Sequence, residues 1–213
     1  MTGYLSTLSQ ADLTRLLADK YNNPPFSQYK LHSFYSRLKL QEPSLAAVLV
    51  PFHKEDDVWH ILFTRRNVAL AKHSGQVSFP GGRSEPGDNN PEETALRETF
   101  EEIGIIPEDI HILGKLHDFF TITHYRITPI VGIIPWPYSL QLADDEVSRV
   151  FSIPLNWLAN PDNYQIRKRT LPEPYEPLSV VYYKPFENEI LWGATARIVL
   201  SLLKILLQNE NIH

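Results

Sequence analysis

The chain has 213 residues, of which 43% are hydrophobic, so it contains enough apolar side chains for a packed core. Its formal net charge of −5 argues against a protein that coats nucleic acid, because such proteins carry a basic excess. The absence of cysteine excludes disulfides, thiolate metal sites and cysteine nucleophiles. Residues 1–10 do not resemble a secretion signal, and the longest apolar run, 198–207, is too short to cross a bilayer. We therefore expect a cytoplasmic protein that binds neither nucleic acid nor a membrane.

In chain order, the first predicted element is a short helix over residues 9–20, with Ser9 as its N-cap. The proline pair at 24–25 predicts a connector after it. Hydrophobic runs then predict strands over 44–52, 58–66, 110–123, 125–134, 147–153, 164–169 and 178–183. Glycine and proline predict a loop over 74–87, and apolar spacing predicts helices over 91–103 and 188–208. Strands interleaved with few helices indicate an α+β fold with a mixed sheet.

The predicted helix 91–103 is marked at both ends by residues that favour helix termini. Asn90 is a good N-cap, and Pro91 fits the first helical position. Gly104 stands where a helix commonly ends in a left-handed residue. The two ends are therefore predicted independently of each other.

One face of this helix carries Glu98, Glu101 and Glu102 at i, i+3 and i+4, which places their Cβ atoms roughly 5–6 Å apart. Like charges at that spacing repel, and a hard divalent cation turns the repulsion into coordination because Mg²⁺ and Mn²⁺ prefer oxygen ligands. The predicted core face lies opposite and consists of Leu96, Phe100 and Ile103. Glutamates on the outside of a helix more often form a solvated surface, so the helix alone leaves both interpretations open.

The loop before the helix favours the metal site. It contains Gly81 and Gly82, and paired glycines allow a ligand to approach the main chain closely. The carbonyl of a glycine near the carboxylates could supply a further oxygen ligand. An ordinary loop before a helix remains the alternative.

Loop and helix together resemble the Nudix box, whose pattern is G-x5-E-x7-R-E-U-x-E-E-x-G-U with U an aliphatic residue. The helical half, Arg97-Glu98-Thr99-Phe100-Glu101-Glu102-Ile103-Gly104-Ile105, matches at every fixed letter, with Thr99 in the first aliphatic slot. The front half departs from the pattern. Counting from Gly82, Asp88 occupies the first acidic position, and it is separated from Arg97 by one residue more than the pattern has.

The resemblance implies an α/β/α sandwich around a mixed sheet, with an N-terminal helical extension over 1–43 and the Nudix domain, including the closing helix, over 44–213. It implies that a pyrophosphate is hydrolysed with Mg²⁺ or Mn²⁺ held by Glu98, Glu101, Glu102 and the carbonyl of Gly82. Arg97 would orient a helix glutamate through an ion pair. The general base is left open, with the candidates Glu98, Glu102 and Glu146.

A second signature lies upstream, in Leu62-Phe63-Thr64-Arg65-Arg66-Asn67 and His73-Ser74-Gly75-Gln76-Val77-Ser78-Phe79-Pro80-Gly81-Gly82. It resembles the motif LLTxR[SA]x3Rx3Gx3FPGG of the coenzyme A pyrophosphatase subgroup, from which it departs at Phe63, Asn67 and Ala71. The resemblance implies cleavage of coenzyme A to 3′,5′-ADP and 4′-phosphopantetheine. The alternatives are another nucleoside diphosphate derivative, such as ADP-ribose or a dinucleotide polyphosphate, and a domain that binds its ligand without catalysis.

Substrate contacts are predicted for the basic side chains near these motifs and for the glycine loop, namely Arg65, Arg66, His73, Gly81, Gly82 and Arg83. Arg65 and Arg66 are adjacent in a strand and face opposite sides, so at most one points readily into the site. Four aromatic residues are candidates for stacking on adenine, although core packing is more frequent for such residues: Trp136, Tyr138, Trp157 and Trp192. The run 167–169 is interpreted as a solvated basic face, with a substrate or partner contact as the minority alternative. A homodimer is one expectation about assembly.

Overall fold

A computed structural model of the chain describes residues 3–20, 42–68, 75–170 and 177–207. The helices in these ranges are α1 (Gly3–Thr7), α2 (Gln10–Lys20), α3 (Pro91–Ile103), α4 (Leu155–Ala159) and α5 (Gly193–Leu207). The longer strands are β1 (Ser44–Glu55), β2 (Val58–Arg66), β7 (Tyr125–Ile133), β8 (Val147–Pro154), β9 (Tyr164–Arg169) and β10 (Leu178–Tyr183). The shorter strands are β3 (Val77–Ser78), β4 (Gly81–Arg83), β5 (His111–Lys115) and β6 (Phe119–Phe120).

Eight of the strands form one sheet with the central order β3-β2-β1-β7-β5. The strand β8 pairs with β2, β4 pairs with β1, and β6 pairs with β7. The pairing of β1 with β7 is parallel and the other pairings are antiparallel, so the sheet is mixed. The strands β9 and β10 form a separate antiparallel pair. The predicted α+β fold with a mixed sheet is confirmed.

Three predicted elements have different limits in the structure. The strand predicted over 110–123 is interrupted between β5 and β6, where the carboxylate of Asp118 accepts hydrogen bonds from Arg126 Nε and Thr128 Oγ1, both at 2.7 Å. The loop predicted over 74–87 contains β3 and β4. The closing helix begins at Gly193, because residues before it form bridges between Tyr182 and Trp192 and between Phe186 and Glu189.

The two faces of the sheet carry two hydrophobic cores. Helix α3 packs on one face with Leu49, Leu62 and Ile130. Helices α1, α2 and α5 pack on the other face, where the leucines of the N-terminal helices are buried. This arrangement gives the layers of the predicted sandwich. The boundary predicted at 43/44 stays a prediction, and residues 21–41 before it lie outside the described ranges.

Within the described ranges, every helix is too short or too polar to cross a membrane.

A buried histidine stands in the middle of the sheet. His53 on β1 is inaccessible to solvent, and its ring stacks on Trp136 and on His60 at centroid distances of 4.1 and 5.3 Å. Its Nε2 atom lies 2.7 Å from Ser152 Oγ. Burial, together with the nearby His60, lowers the pKa of His53 to about 4. The imidazole is therefore neutral in the folded protein at neutral pH.

We predict that His53 makes the folded state less stable as pH falls from about 6.5 to about 4. The unfolded chain binds the proton at the higher pH and the folded chain only at the lower pH, so acid favours unfolding in this window. The shift corresponds to about 3 kcal/mol. Chemical denaturation at a series of pH values measures this effect. The free energy of unfolding should depend less steeply on pH for His53→Phe than for the wild type. The exposed His111→Gln should retain the wild-type slope, and a His53→Phe slope equal to wild type would contradict the prediction.

Candidate active site

Helix α3 has the ends that its sequence predicts. The side chain of Asn90 accepts a hydrogen bond from the amide of Glu93 at 3.0 Å, and the carboxylate of Glu93 accepts one from the side-chain amide of Asn90 at 3.1 Å. At the other end, Gly104 is left-handed with φ 74°, and its amide donates to the carbonyl of Phe100 at 2.9 Å. The helix therefore starts and stops through local contacts.

The orientation of α3 corrects the predicted core face. Phe100, expected in the core, is 51% exposed. Ile103 is buried as predicted, and Leu96 packs against the core. The other buried side chains are Thr94, Ala95, Thr99 and Glu102. The buried face of the helix is therefore centred near Glu102. The glutamates lie partly inside the protein rather than on the face opposite its core.

The backbone of β4 makes room for this orientation. A Cβ atom on Gly81, which has φ 147°, would lie 2.4 Å from the carbonyl oxygen of Ala47 on β1. A Cβ atom on Gly82 would lie 2.4 Å from Oε2 of Glu98. The amide of Gly81 donates to Oε2 of Glu102 at 3.2 Å. Two glutamates of the helix thus converge on the two glycines of β4, which have no side chains to keep them away.

Burial disfavours the charged form of these carboxyls. It raises the pKa of Glu102 to about 8, against the opposing effects of the Gly81 amide and of Arg66. It also raises the pKa of Glu98, against the opposing effect of Arg97. The negative charge of Glu146, an exposed residue before β8, raises the pKa of both groups. A bound cation would relieve this accumulation of negative charge.

Arg97 is held by Asp88, an acid for which the motif predicts no definite role. Its Nε and Nη2 atoms donate to the two carboxylate oxygens of Asp88 at 3.1 and 3.0 Å. These hydrogen bonds hold the pKa of the Asp88 carboxyl well below its usual range. The Nη1 atom of the same guanidinium donates to Glu98 at 3.1 Å and to Glu101 at 2.9 Å. Asp88 therefore fixes the arginine that contacts both glutamates, and the acidic slot of the motif was the signal for it.

The three glutamates are not gathered around one point. Glu101 is 54% exposed and turned toward Arg97, whereas Glu98 and Glu102 face β4. In the described part of the chain, no group of three or more His, Cys, Asp or Glu side chains is close enough to hold a metal ion. The chemistry of the donors nevertheless suits Mg²⁺ or Mn²⁺, since two desolvated carboxylates converge beside a main chain that lacks side chains. The ligand roles of Glu98, Glu101, Glu102 and Gly82 stay predictions.

The predicted substrate-binding residues are distributed over several places. Arg66 lies beside the carboxylates, with Nη1 at 3.5 Å from Glu102, whereas Arg65 faces the other side of β2 and pairs with Glu189 at 3.2 Å. Arg83 is exposed, and its main-chain carbonyl accepts a hydrogen bond from Arg97 at 3.1 Å. His73 lies outside the described residues.

The four aromatic candidates occupy separate places. Trp136 stacks on His53, and Tyr138 donates its hydroxyl to Asp109 at 2.7 Å. Trp157 packs against Tyr183 and Phe186, and Trp192 stacks on Tyr182. They do not form a single adenine-binding cluster.

Residues 43–173 match a family model described as the NUDIX domain. A protein from Pectobacterium atrosepticum named "Uncharacterized Nudix hydrolase NudL" is 34% identical over 196 residues, which covers 82% of this chain and 94% of that protein. A protein of the same name from Yersinia pestis is 39% identical over 155 residues, covering 72% of this chain and 75% of its own length. The crystal structure of a MutT/nudix family protein from Enterococcus faecalis matches this structure with a TM-score of 0.54 at 16% sequence identity. The match covers 92% of this chain and 73% of that one, and it shows a shared fold.

The adjacent glycines of β4 should respond differently to alanine. Gly81→Ala places a Cβ against the backbone of Ala47 at a positive φ, so we expect the free energy of unfolding to fall by at least about 2 kcal/mol. Gly82→Ala meets only the end of the Glu98 side chain, so its stability should change by less than about 1 kcal/mol. Displacement of Glu98 should weaken Mn²⁺ binding by about tenfold. Denaturation and Mn²⁺ titration measure the two effects, and unchanged Mn²⁺ affinity in Gly82→Ala would contradict the placement of Glu98.

Removing the charge of Asp88 should weaken its hydrogen bonds with Arg97. Asp88→Asn loses a charge-assisted pair whose carboxylate is largely buried, so we expect the free energy of unfolding to fall by about 1–3 kcal/mol. Chemical denaturation at pH 7 measures the difference. Glu92→Gln, an exposed acid in the first turn of α3, is the matched control and should stay within about 0.5 kcal/mol of wild type. Equal losses of unfolding free energy in the two variants would show that the pair between Asp88 and Arg97 does not stabilise the fold.

Proposed function

The chain belongs to the Nudix hydrolase family, and from this we propose that it hydrolyses the pyrophosphate bond of coenzyme A or its acyl derivatives in the presence of a divalent metal ion. The observation that carries the proposal is the convergence of Glu98 and Glu102 on the Gly81–Gly82 backbone. The substrate class rests on the signature over residues 62–82, which ends in that same glycine pair. Products would be 3′,5′-ADP and 4′-phosphopantetheine or its acyl form.

A pyrophosphate resists hydrolysis because its negative oxygens repel an attacking water. Glu98, Glu101, Glu102 and the carbonyl of Gly82 would hold a divalent ion, which would supply charge neutralisation and lower the pKa of a water molecule. The residues of the chain position these groups. Asp88 fixes Arg97, whose guanidinium in turn donates hydrogen bonds to Glu98 and Glu101 and holds their carboxylates in place.

Arg66 is the basic residue best placed to contact a substrate phosphate at this site. Its guanidinium stands 3.5 Å from Glu102, and its main-chain amide is bound to the carbonyl of Gln76 at 3.0 Å, which fixes the end of β2. A planar guanidinium can donate two hydrogen bonds to one phosphate. Arg66 therefore supplies positive charge on the carboxylate side of the strand, while Arg65 supplies it on the other side.

The proton of the attacking water has three candidate acceptors, Glu98, Glu102 and Glu146. Glu98 and Glu102 would be occupied as metal ligands. Glu146 is exposed, and its charge acts on both of them, so it is near the site and in contact with solvent. These properties favour Glu146 as the group that passes the proton to water.

Two alternatives compete with coenzyme A hydrolysis. The enzyme could prefer another nucleoside diphosphate derivative, such as ADP-ribose or a dinucleotide polyphosphate. Ala71, which replaces an arginine of the subgroup motif, is consistent with such a difference and lies outside the described residues. A domain that binds without catalysis is the second alternative, and the intact triad of helix glutamates argues against it.

The deciding experiment is product analysis after incubation with coenzyme A and either Mg²⁺ or Mn²⁺. We expect 3′,5′-ADP and 4′-phosphopantetheine in equal amounts. The same assay with ADP-ribose and diadenosine polyphosphates ranks the alternatives by kcat/KM. Faster turnover of ADP-ribose would overturn the choice of coenzyme A, and no metal-dependent hydrolysis of any pyrophosphate would support the binding-only alternative.

Neutral replacements should separate the role of the glutamates in turnover from their role in folding. Glu102→Gln and Glu101→Gln should each lower kcat by at least about a hundredfold. Because burial raises the pKa of Glu102 to about 8, its charged form is unfavourable in the folded protein, and Glu102→Gln should not lower stability at pH 7. Steady-state kinetics and denaturation measure the two effects. Glu92→Gln is the control, and wild-type activity in both site variants would remove these glutamates from the mechanism.

A further inference from the structure

A cavity of about 580 Å³ opens at the end of β2, on the side to which Arg65 points. The residues that line it come from β2, the turn before β3, β9, β10 and the segment before α5, and they include Arg65, Gln76, Arg169, Tyr182, Glu189 and Trp192. The neighbouring Arg66 faces the carboxylates of α3 instead. The cavity and the candidate active site therefore lie on opposite sides of the same strand end. Its volume is in the range of pockets that bind small ligands.

The charge of the cavity favours an anion. Glu189, which is 6% exposed, has one carboxylate oxygen bound to Arg65 at 3.2 Å and to Arg149 at 3.1 Å. Its negative charge is thus matched by Arg65 and by Arg149, which also pairs with Glu187. Arg169 adds a further positive charge at the exposed rim. The Arg65 side chain is 40% exposed although its Nη1 atom is bound to Glu189, so its guanidinium can be reached by a ligand in the cavity.

One wall of the cavity is aromatic. The rings of Tyr182 and Trp192 stack with their planes 4° apart and their centroids at 5.7 Å. Arg167 lies over the ring of Tyr182 at 5.3 Å, so Tyr182 is supported by both neighbours. Trp192 is the half-buried ring that we assign to a base. An aromatic ring beside arginines is the combination that binds a phosphorylated nucleoside, because the ring stacks on the base and the guanidinium groups bind phosphate.

We propose that this cavity binds the 3′-phosphoadenosine half of the substrate, with Trp192 against adenine and Arg65 and Arg169 on the 3′-phosphate. The assignment rests on the proposed function, since coenzyme A carries this group and ADP-ribose does not. It also gives a physical reason for a preference between the two, because a cavity with two accessible guanidinium groups favours the ligand that carries the additional phosphate.

The test is a binding measurement that does not depend on turnover. Wild-type protein and variants are titrated with adenosine 3′,5′-bisphosphate and with AMP by calorimetry, without divalent metal, so that the acidic active site repels both ligands. We expect wild type to bind the bisphosphate at least about tenfold more tightly than AMP. Arg169→Ala should remove most of that difference, and Trp192→Leu should weaken the binding of both ligands by about tenfold.

Lys168→Ala is the matched control, because Lys168 neighbours Arg169 on the exposed strand β9 and points to the opposite face. It should bind both ligands as the wild type does. Equal affinity of wild type for the two ligands, or unchanged binding in both Arg169→Ala and Trp192→Leu, overturns the inference. If coenzyme A is not hydrolysed but the bisphosphate preference is present and depends on Arg169, the proposed function fails and the binding site stands.

Discussion

The close approach of helix α3 to the backbone of β4 is the constraint on which the candidate site depends. Two glycines make it possible, since a Cβ on Gly81 would meet the neighbouring strand and one on Gly82 would meet Glu98. The helix can therefore lie with Glu102 pointing inward. Carboxylates that would be solvated on an ordinary helix are thereby placed over a strand, in surroundings where their charge is unfavourable without a cation.

The protein compensates for this unfavourable charge with a small set of arginines. Arg97 contacts Glu98 and Glu101, and Arg66 stands beside Glu102. Asp88, in the loop before the helix, accepts two hydrogen bonds from Arg97 on the helix. The guanidinium of Arg97 therefore both joins the loop to the helix and orients the glutamates. Metal binding would therefore compete with ion pairs that already exist, and Glu101 is the glutamate that would have to turn.

The end of β2 connects the two regions assigned to the substrate. Alternation along the strand sends Arg66 to the carboxylates and Arg65 to the cavity lined by Tyr182 and Trp192. One strand end could thus position both the bond to be cut and the nucleoside that identifies the substrate. The segment before α5 completes the cavity through Glu189, so the C-terminal part of the chain contributes to the cavity as well as to the core.

Local sequence was sufficient for the mixed α+β fold, the ends of α3 and the opposite directions of Arg65 and Arg66. These features depend on caps, periodicity and strand alternation, which act over a few residues. The inward turn of Glu102, the exposure of Phe100 and the anchoring of Arg97 by Asp88 were decided by tertiary structure. They depend on how closely a helix can approach a particular strand, and that distance is set by side chains that are remote in the sequence or, at Gly81 and Gly82, missing.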